Sequence, residues 1–349
     1  MKKVLCLVLV ISLVTLGLVG CGGTSKSTPA DNTTPEQAAA PDKTYKIRIA
    51  HVLQESTPTH KALVEFKNYV EEKSAGKISV EVYPNSSLGG ERQICEAVQL
   101  GTLESALATT AVLANFEPKL TVFELPFLYN TLDIARKSVD GEFGKLATEG
   151  LNKVKIMNLA IMENGFRYIT NSKRPIHTPK DLNGIKIRTM ENPIHMETFR
   201  LLGASPTPMA FNELYTALQQ KTVDGQENPV FLTYSSKFYE VQKYLSLTGH
   251  IYAAAPFVMN LDFFNSLPAD LQTIVKDGAN VARDKQREML DTQNEADLVE
   301  LKKAMEVNEL TAEEKAVFAE MTKPVYDQVA EIVGQDLVDL AVSANEKYK

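Results

Sequence analysis

From Tyr45 onward the chain switches repeatedly between a period of two and a period of 3.6, and this restricts it to folds that layer helices on a sheet. Lys46-Ile47-Arg48-Ile49-Ala50 alternates polar and apolar residues. Lys61 to Lys73 then places Leu63, Phe66 and Val70 at helical spacings of three and four, and Ile78 to Tyr83 alternates again. The opening is therefore β-α-β. Glu91 to Leu100 reads as helix and Leu103 to Ala108 as extended chain, and the pattern recurs through Lys155–Ile161, Ile185–Thr189, Pro193–Leu202 and Phe211–Gln220. Such alternation predicts an α/β architecture whose ligands sit at the carboxyl ends of strands. After an apolar stretch, Ala253–Met259, the residues from about Asp270 to Val307 carry a long polar helical pattern with one internal glycine. At 1.5 Å per residue that helix reaches on the order of 55 Å, enough to bridge two domains. A length of 349 residues suits about two domains, and 44% hydrophobic with 23% charged residues is an ordinary globular composition.

The amino terminus predicts where the protein works. Met1-Lys2-Lys3 followed by the apolar run Val4–Val19 has the n-region and h-region of a secretory signal. The run is about sixteen residues, short of the roughly twenty that span a hydrocarbon core. Leu18-Val19-Gly20-Cys21 resembles a bacterial lipobox, which implies a signal peptide over 1–20 and lipidation of Cys21. Residues 21–43 are rich in Gly, Ser, Thr, Pro and Ala without apolar periodicity and read as a flexible tether. The expected localisation is extracytoplasmic, with the protein held on a membrane through its lipid. Cys95 would then be the only thiol left, packed on a helix.

Several functions are disfavoured. Lys plus Arg number 37 against 44 Asp plus Glu, a net charge of −7 that offers no basic field to nucleic acid. Nucleotide-binding, serine-hydrolase, zinc-protease and calcium-loop motifs are absent, and no two of the five histidines are spaced i, i+4. Neither a metal nor a cofactor is expected. A hydrolase using Glu91, Glu163 or Glu191 as acid and base would need two carboxylates of opposed pKa, and no paired motif supports it. A sensor domain is disfavoured because no signalling helix pattern follows the body.

Arg188 follows the short apolar strand in Asp181-Leu182-Asn183-Gly184-Ile185-Lys186-Ile187-Arg188, which places a guanidinium at the ligand end of a strand. Its planar fork suits a carboxylate, although the spacing alone favours an ordinary surface ion pair. Further stretches are more specific: Glu163-Asn164-Gly165-Phe166-Arg167, Gly203 to Phe211, Thr222 to Pro229, and Lys237 to Tyr244. Over essentially all of the chain from Tyr45, these resemble the solute-binding subunits of tripartite ATP-independent periplasmic (TRAP) transporters of the dicarboxylate (DctP) type, with closest motif similarity to sialic-acid-binding members.

The resemblance implies a two-lobed, periplasmic-binding-protein-like α/β fold, with 44–164 and 253–293 in lobe I and 165–252 and 294–349 in lobe II. It implies a non-enzymatic receptor that delivers a small organic acid, a C4-dicarboxylate or a sugar acid such as a uronate, to a TRAP-type permease. An ATP-driven importer receptor is the alternative. Arg188 would anchor the ligand carboxylate, with Arg167 and Asn228 reaching the same group and Phe211 packing on the ligand. Glu191 and Asn192 fall where the family contacts the rest of the ligand, and His51, Gln54 and Glu91 at the opposite rim. Thr109 stands where sialic-acid binders carry another pocket residue, so sialic acid itself is not the expected ligand. His51 is a candidate partner for a second carboxylate, and the polar groups together would equally suit hydroxyls.

Overall fold

The computed structural model describes residues 43–348. The signal peptide, Cys21 and nearly all of the tether therefore lie outside the described residues. Among the described residues, eleven strands form two sheets. The first contains β1 (Tyr45–Ala50), β2 (Ile78–Tyr83), β3 (Ser105–Leu107), β4 (Ile156–Phe166) and β10 (Tyr252–Asn260), in the order β2-β1-β3-β10-β4. The second contains β5 (Tyr168–Asn171), β6 (Lys186–Thr189), β7 (Ser205–Pro208), β8 (Gly225–Asn228), β9 (Tyr244–Leu247) and β11 (Glu306–Glu309), in the order β11-β9-β5-β8-β6-β7. Both sheets are mixed. In the first, β1 runs parallel to β2 and β3 while β10 is antiparallel to β3 and β4. In the second, β6 runs parallel to β7 and β8 while β5 is antiparallel to β8 and β9.

The chain passes between sheets where β4 gives way to β5, with Arg167 alone between them, and again over residues 248–251. These crossings lie side by side, because the Arg167 backbone N–H donates to Ile251 O at 2.9 Å. A third passage is the helix Ala269–Ala304, the predicted bridge, which at 1.5 Å per residue is about 54 Å long. Its first half buries Leu271, Val275, Ala279 and Ala282 with Phe66 and Val70 of the helix Pro58–Lys73. Gly278 permits this approach, since a Cβ there would lie 2.9 Å from a Val70 methyl. Farther along, Leu290 packs with Phe231 and Leu232, and Leu301 with Val230 and Leu245. One helix thus contributes to the cores beside both sheets.

The helices Pro324–Val333 and Gln335–Lys347 share a core with Phe123, Ile134, Val139 and Phe143 through Val325, Val329, Val338 and Ala341. This differs from the expectation that all of 294–349 belongs with the second lobe. Apolar positions on helices with no sequence neighbour to pack against can bury on whichever core the chain returns to. Cys95 is buried on the helix Glu91–Leu100.

Candidate functional site

A cleft lies between segments that follow strands of the two sheets. From the first sheet come His51 after β1, Glu91, and Thr109 after β3; from the second come Arg188 on β6, Met190, Phe211 and Asn228 on β8. Leu107, Ala108, Leu232 and Ala255 add apolar lining, and Thr59, Glu163 and Asn164 add polar atoms. His51, Thr109, Arg188, Met190 and Asn228 lie at strand ends and the turns after them, where an α/β sheet exposes side chains, while Thr59, Glu91, Phe211 and Leu232 come from neighbouring helices.

Arg188 is 2% exposed. Its Nε and Nη2 donate to the Met209 carbonyl at 2.9 and 2.6 Å, which fixes the plane of the guanidinium. Its Nη1 is buried with no hydrogen-bond partner among the described residues. Burial pulls its pKa down to about 10, with Glu227 and Glu91 acting against that and Arg167 reinforcing it. A cation so enclosed is held here by a neutral carbonyl and leaves a donor that an anion could take.

Arg167 is equally buried, and its Nε and Nη2 are engaged away from the cleft, although its Nη1, like that of Arg188, has no hydrogen-bond partner among the described residues. Its guanidinium makes a salt bridge with Glu227, Nη2 to Oε1 at 2.8 Å and Nε to Oε2, and Nη2 also donates to Asn228 Oδ1 at 3.1 Å. It does not line the cleft. Burial alone would raise the Glu227 carboxyl, but the Arg167 charge and hydrogen bonds from His250 and Arg167 hold it well below the usual range. The effect on the cleft is indirect. With Oδ1 taken by Arg167 and one Nδ2 hydrogen given to Gln226 Oε1 at 2.5 Å, the Asn228 amide has a fixed orientation and one free donor. Gly225 starts that strand because a Cβ would come within 2.4 Å of Thr170 O on β5.

On the opposite wall, Glu91 is the first residue of its helix, where the positive end of the helix dipole favours a carboxylate. Oε1 accepts from Thr109 N and Oε2 from Thr109 Oγ1, both at 3.1 Å. Its surface opens partly to the cleft, but protein surrounds the group and this burial raises its pKa, opposed by the Thr109 bonds and by Arg188. Thr109 therefore holds Glu91 and also touches Met190 Sδ at 3.6 Å.

His51 is 1% exposed. Its Nδ1 accepts from Leu53 N at 3.2 Å, which leaves the proton on Nε2 to be donated to His60 Nδ1 at 3.1 Å. Burial, with His60 adding to it, depresses its pKa to about 3. A neutral ring with both nitrogens engaged makes no counter-ion for a second carboxylate.

Phe211 opens the helix Phe211–Gln219 and meets Phe238 edge to face, ring centres 6.1 Å apart. Gln54, Glu191 and Asn192 do not line the cleft. Gln54 is exposed and faces a separate surface depression with Asn212 and Tyr215. Glu191 accepts through its backbone carbonyl from Asn115 Nδ2 at 2.9 Å. Asn192 caps the helix Pro193–Leu201, its Oδ1 accepting from Ile194 N and His195 N at 2.8 and 3.1 Å. Glu163 makes an ion pair with Arg136, Nε to Oε2 at 2.7 Å. Met190, two residues from Arg188, had a positional signal that went unused. Thr59 and Ala255 had none, since only the chain crossings bring them to the cleft.

Two α/β lobes around a buried cation, joined by crossing strands and a bridging helix, define a solute-binding protein of the periplasmic type. Residues 49–332 match the model of the DctP family, bacterial extracellular solute-binding protein family 7. The chain belongs to this family of TRAP solute-binding proteins, which are binding receptors rather than enzymes and work outside the cytoplasm. A solute-binding protein of Verminephrobacter eiseniae is 38% identical over 307 residues, covering 88% of this chain and 90% of that protein. The C4-dicarboxylate-binding periplasmic protein DctP of Rhodobacter capsulatus is 34% identical over 84% of this chain and 88% of its own length. The sugar-acid-binding protein DctPAm of Advenella mimigardefordensis, solved in complex with galactonate, superposes with a TM-score of 0.85 at 35% identity, covering 88% of this chain and 99% of that one.

Proposed function

We propose that this protein is the receptor for a hydroxylated monocarboxylate, a sugar acid of the aldonate or uronate class, and delivers it to a TRAP-type membrane permease. The observation that carries this is the pairing of one underused buried cation, Arg188, with an acidic opposite wall, Glu91. A single carboxylate satisfies Arg188 and the Asn228 donor. Hydroxyls then donate to Glu91, while Phe211 covers an apolar face. A C4-dicarboxylate would set its second charge against Glu91 with His51 neutral, and like charges brought together in a buried site cost affinity. The relative solved with galactonate supports this reading. The C4-dicarboxylate-binding relative supplies the rival that the experiment addresses.

Arg167 serves as the support that orients Asn228. The resemblance to sialic-acid binders extends to the carboxylate-handling motifs around Arg188 and Asn228, and we infer that it reflects the handling of that group alone. Attachment to the membrane through lipidated Cys21 belongs to the same proposal. The proposed lobe division is 44–164 and 253–293 in lobe I and 165–252 and 294–349 in lobe II, and the core that 324–347 shares with Phe123 and Phe143 supports moving that segment to lobe I.

Thermal unfolding with D-galactonate, D-glucuronate and succinate tests the reading. A ligand present at about a thousand times its Kd adds about 4 kcal/mol, a rise on the order of 10 °C for a chain of this size. A sugar acid should produce that rise and succinate little. A rise confined to succinate would overturn the proposal.

A further inference from the structure

Two segments that line the cleft also grip each other beyond it. Residues 109–115 follow β3 of the first sheet, and residues 188–192 span the end of β6 of the second and the turn after it. Thr109, Arg188 and Met190 face the ligand space. Immediately downstream, Asn192 Nδ2 donates to Ala111 O at 2.8 Å and Asn115 Nδ2 donates to Glu191 O at 2.9 Å. The two bonds run in opposite senses across the seam. Each joins a side-chain amide of one segment to a backbone carbonyl of the other, and the Asn192 bond is buried.

We propose that Asn192 and Asn115 form a latch that holds the two lobes together around the ligand and sets its release rate, without either side chain touching the ligand. The ligand orders the start of both segments and the latch joins their continuations, so closure and occupancy favour one another. Opening the lobes breaks both bonds, and the free amide and carbonyl groups must then find water. Asn192 is thereby a positioning residue for binding, in place of the ligand contact expected from the sequence. This inference rests on the receptor reading above for its ligand, but not for its test.

Asn192→Asp separates the latch from the helix cap. Asp caps a helix about as well as Asn, so the Oδ1 acceptor for Ile194 N and His195 N survives. The crossing donor is lost, and a carboxylate faces the Ala111 carbonyl. In the ligand-free protein, hydrogen exchange should rise in residues 109–115, across the seam from the substitution, while the helix Pro193–Leu201 keeps its protection. With D-galactonate, release should be about tenfold faster and association unchanged within about twofold, as loss of one buried hydrogen bond implies. Asn115→Ala, on the exposed side of the seam, should act in the same direction more weakly and guards against a folding defect in the first variant.

Unchanged exchange at 109–115 overturns the latch. Equal loss of protection in the helix Pro193–Leu201 overturns it too, since that would mark Asn192 as a cap alone. Release from the Asn192→Asp protein at the wild-type rate likewise overturns it. If wild type takes up neither D-galactonate, D-glucuronate nor succinate, the ligand reading fails and the exchange measurement alone decides the latch.

Discussion

Arg167 and Arg188 are both buried beside the second sheet, and the regions around them use that charge in opposite ways. At the crossing between the sheets, Arg167 meets Glu227, which also receives His250 Nε2 at 3.2 Å. The charges there cancel, and the result is a fixed junction. Near the end of β6, Arg188 meets only a backbone carbonyl and retains unused donors. A buried cation without its own counter-ion is costly for the fold and selective for an anionic guest. The difference lies in the identity of the partner, a carboxylate for Arg167 and a neutral carbonyl for Arg188, where burial alone does not distinguish them.

Substitutions at the two sites should therefore fail in different assays. Arg188→Ala is expected to lose two to four decades of sugar-acid affinity, because breaking a buried ion pair costs about 3–5 kcal/mol. The folded protein should stay about as stable as wild type by thermal unfolding. Arg167→Ala leaves Glu227 buried and unpaired, so the same 3–5 kcal/mol should appear as lost stability, a fall in Tm on the order of 10 °C. If both variants instead lost affinity equally at unchanged stability, the distinction between junction and anchor would collapse.

Glu91→Gln sharpens the comparison from the facing wall. Removing the carboxylate should tighten succinate by about tenfold, roughly 1.4 kcal/mol, and weaken a sugar acid by a similar factor, read by titration calorimetry. An unchanged ratio between the two ligands would show that Glu91 takes no part in selection.

A smaller effect concerns pH. His51 is held at about 3 against an ordinary value of 6.5, so between these values the unfolded chain binds a proton that the folded protein refuses. Its contribution to stability is complete above pH 6.5 and is lost as pH falls toward 3. The depressed Glu227 acts in the same direction below the normal carboxylate range. Thermal unfolding at pH 7, 5.5 and 4.5 should show a progressive decline, and His51→Asn should flatten its upper part.

Periodicity made the β-α-β opening and the bridging helix legible, and the motif stretches made Arg188, Asn228 and Phe211 legible as cleft residues. The role of Arg167 was not legible, because its partner Glu227 lies 60 residues away and only the pairing of β5 with β8 brings them together. The family resemblance puts Asn192 among the expected ligand contacts. An Asn before Pro193 is also a helix-start signal, and that local chemistry fixes where its side chain points. Contacts between lobes, such as Asn192 with Ala111, depend on how the crossings fold, and no local pattern encodes them.

The most direct test of the account is calorimetric titration of the wild-type protein with D-galactonate and with succinate under identical conditions. One anchored carboxylate facing an acidic wall predicts that D-galactonate binds at least about a hundredfold more tightly, near 2.7 kcal/mol. Succinate binding as tightly as D-galactonate, or more tightly, would contradict it.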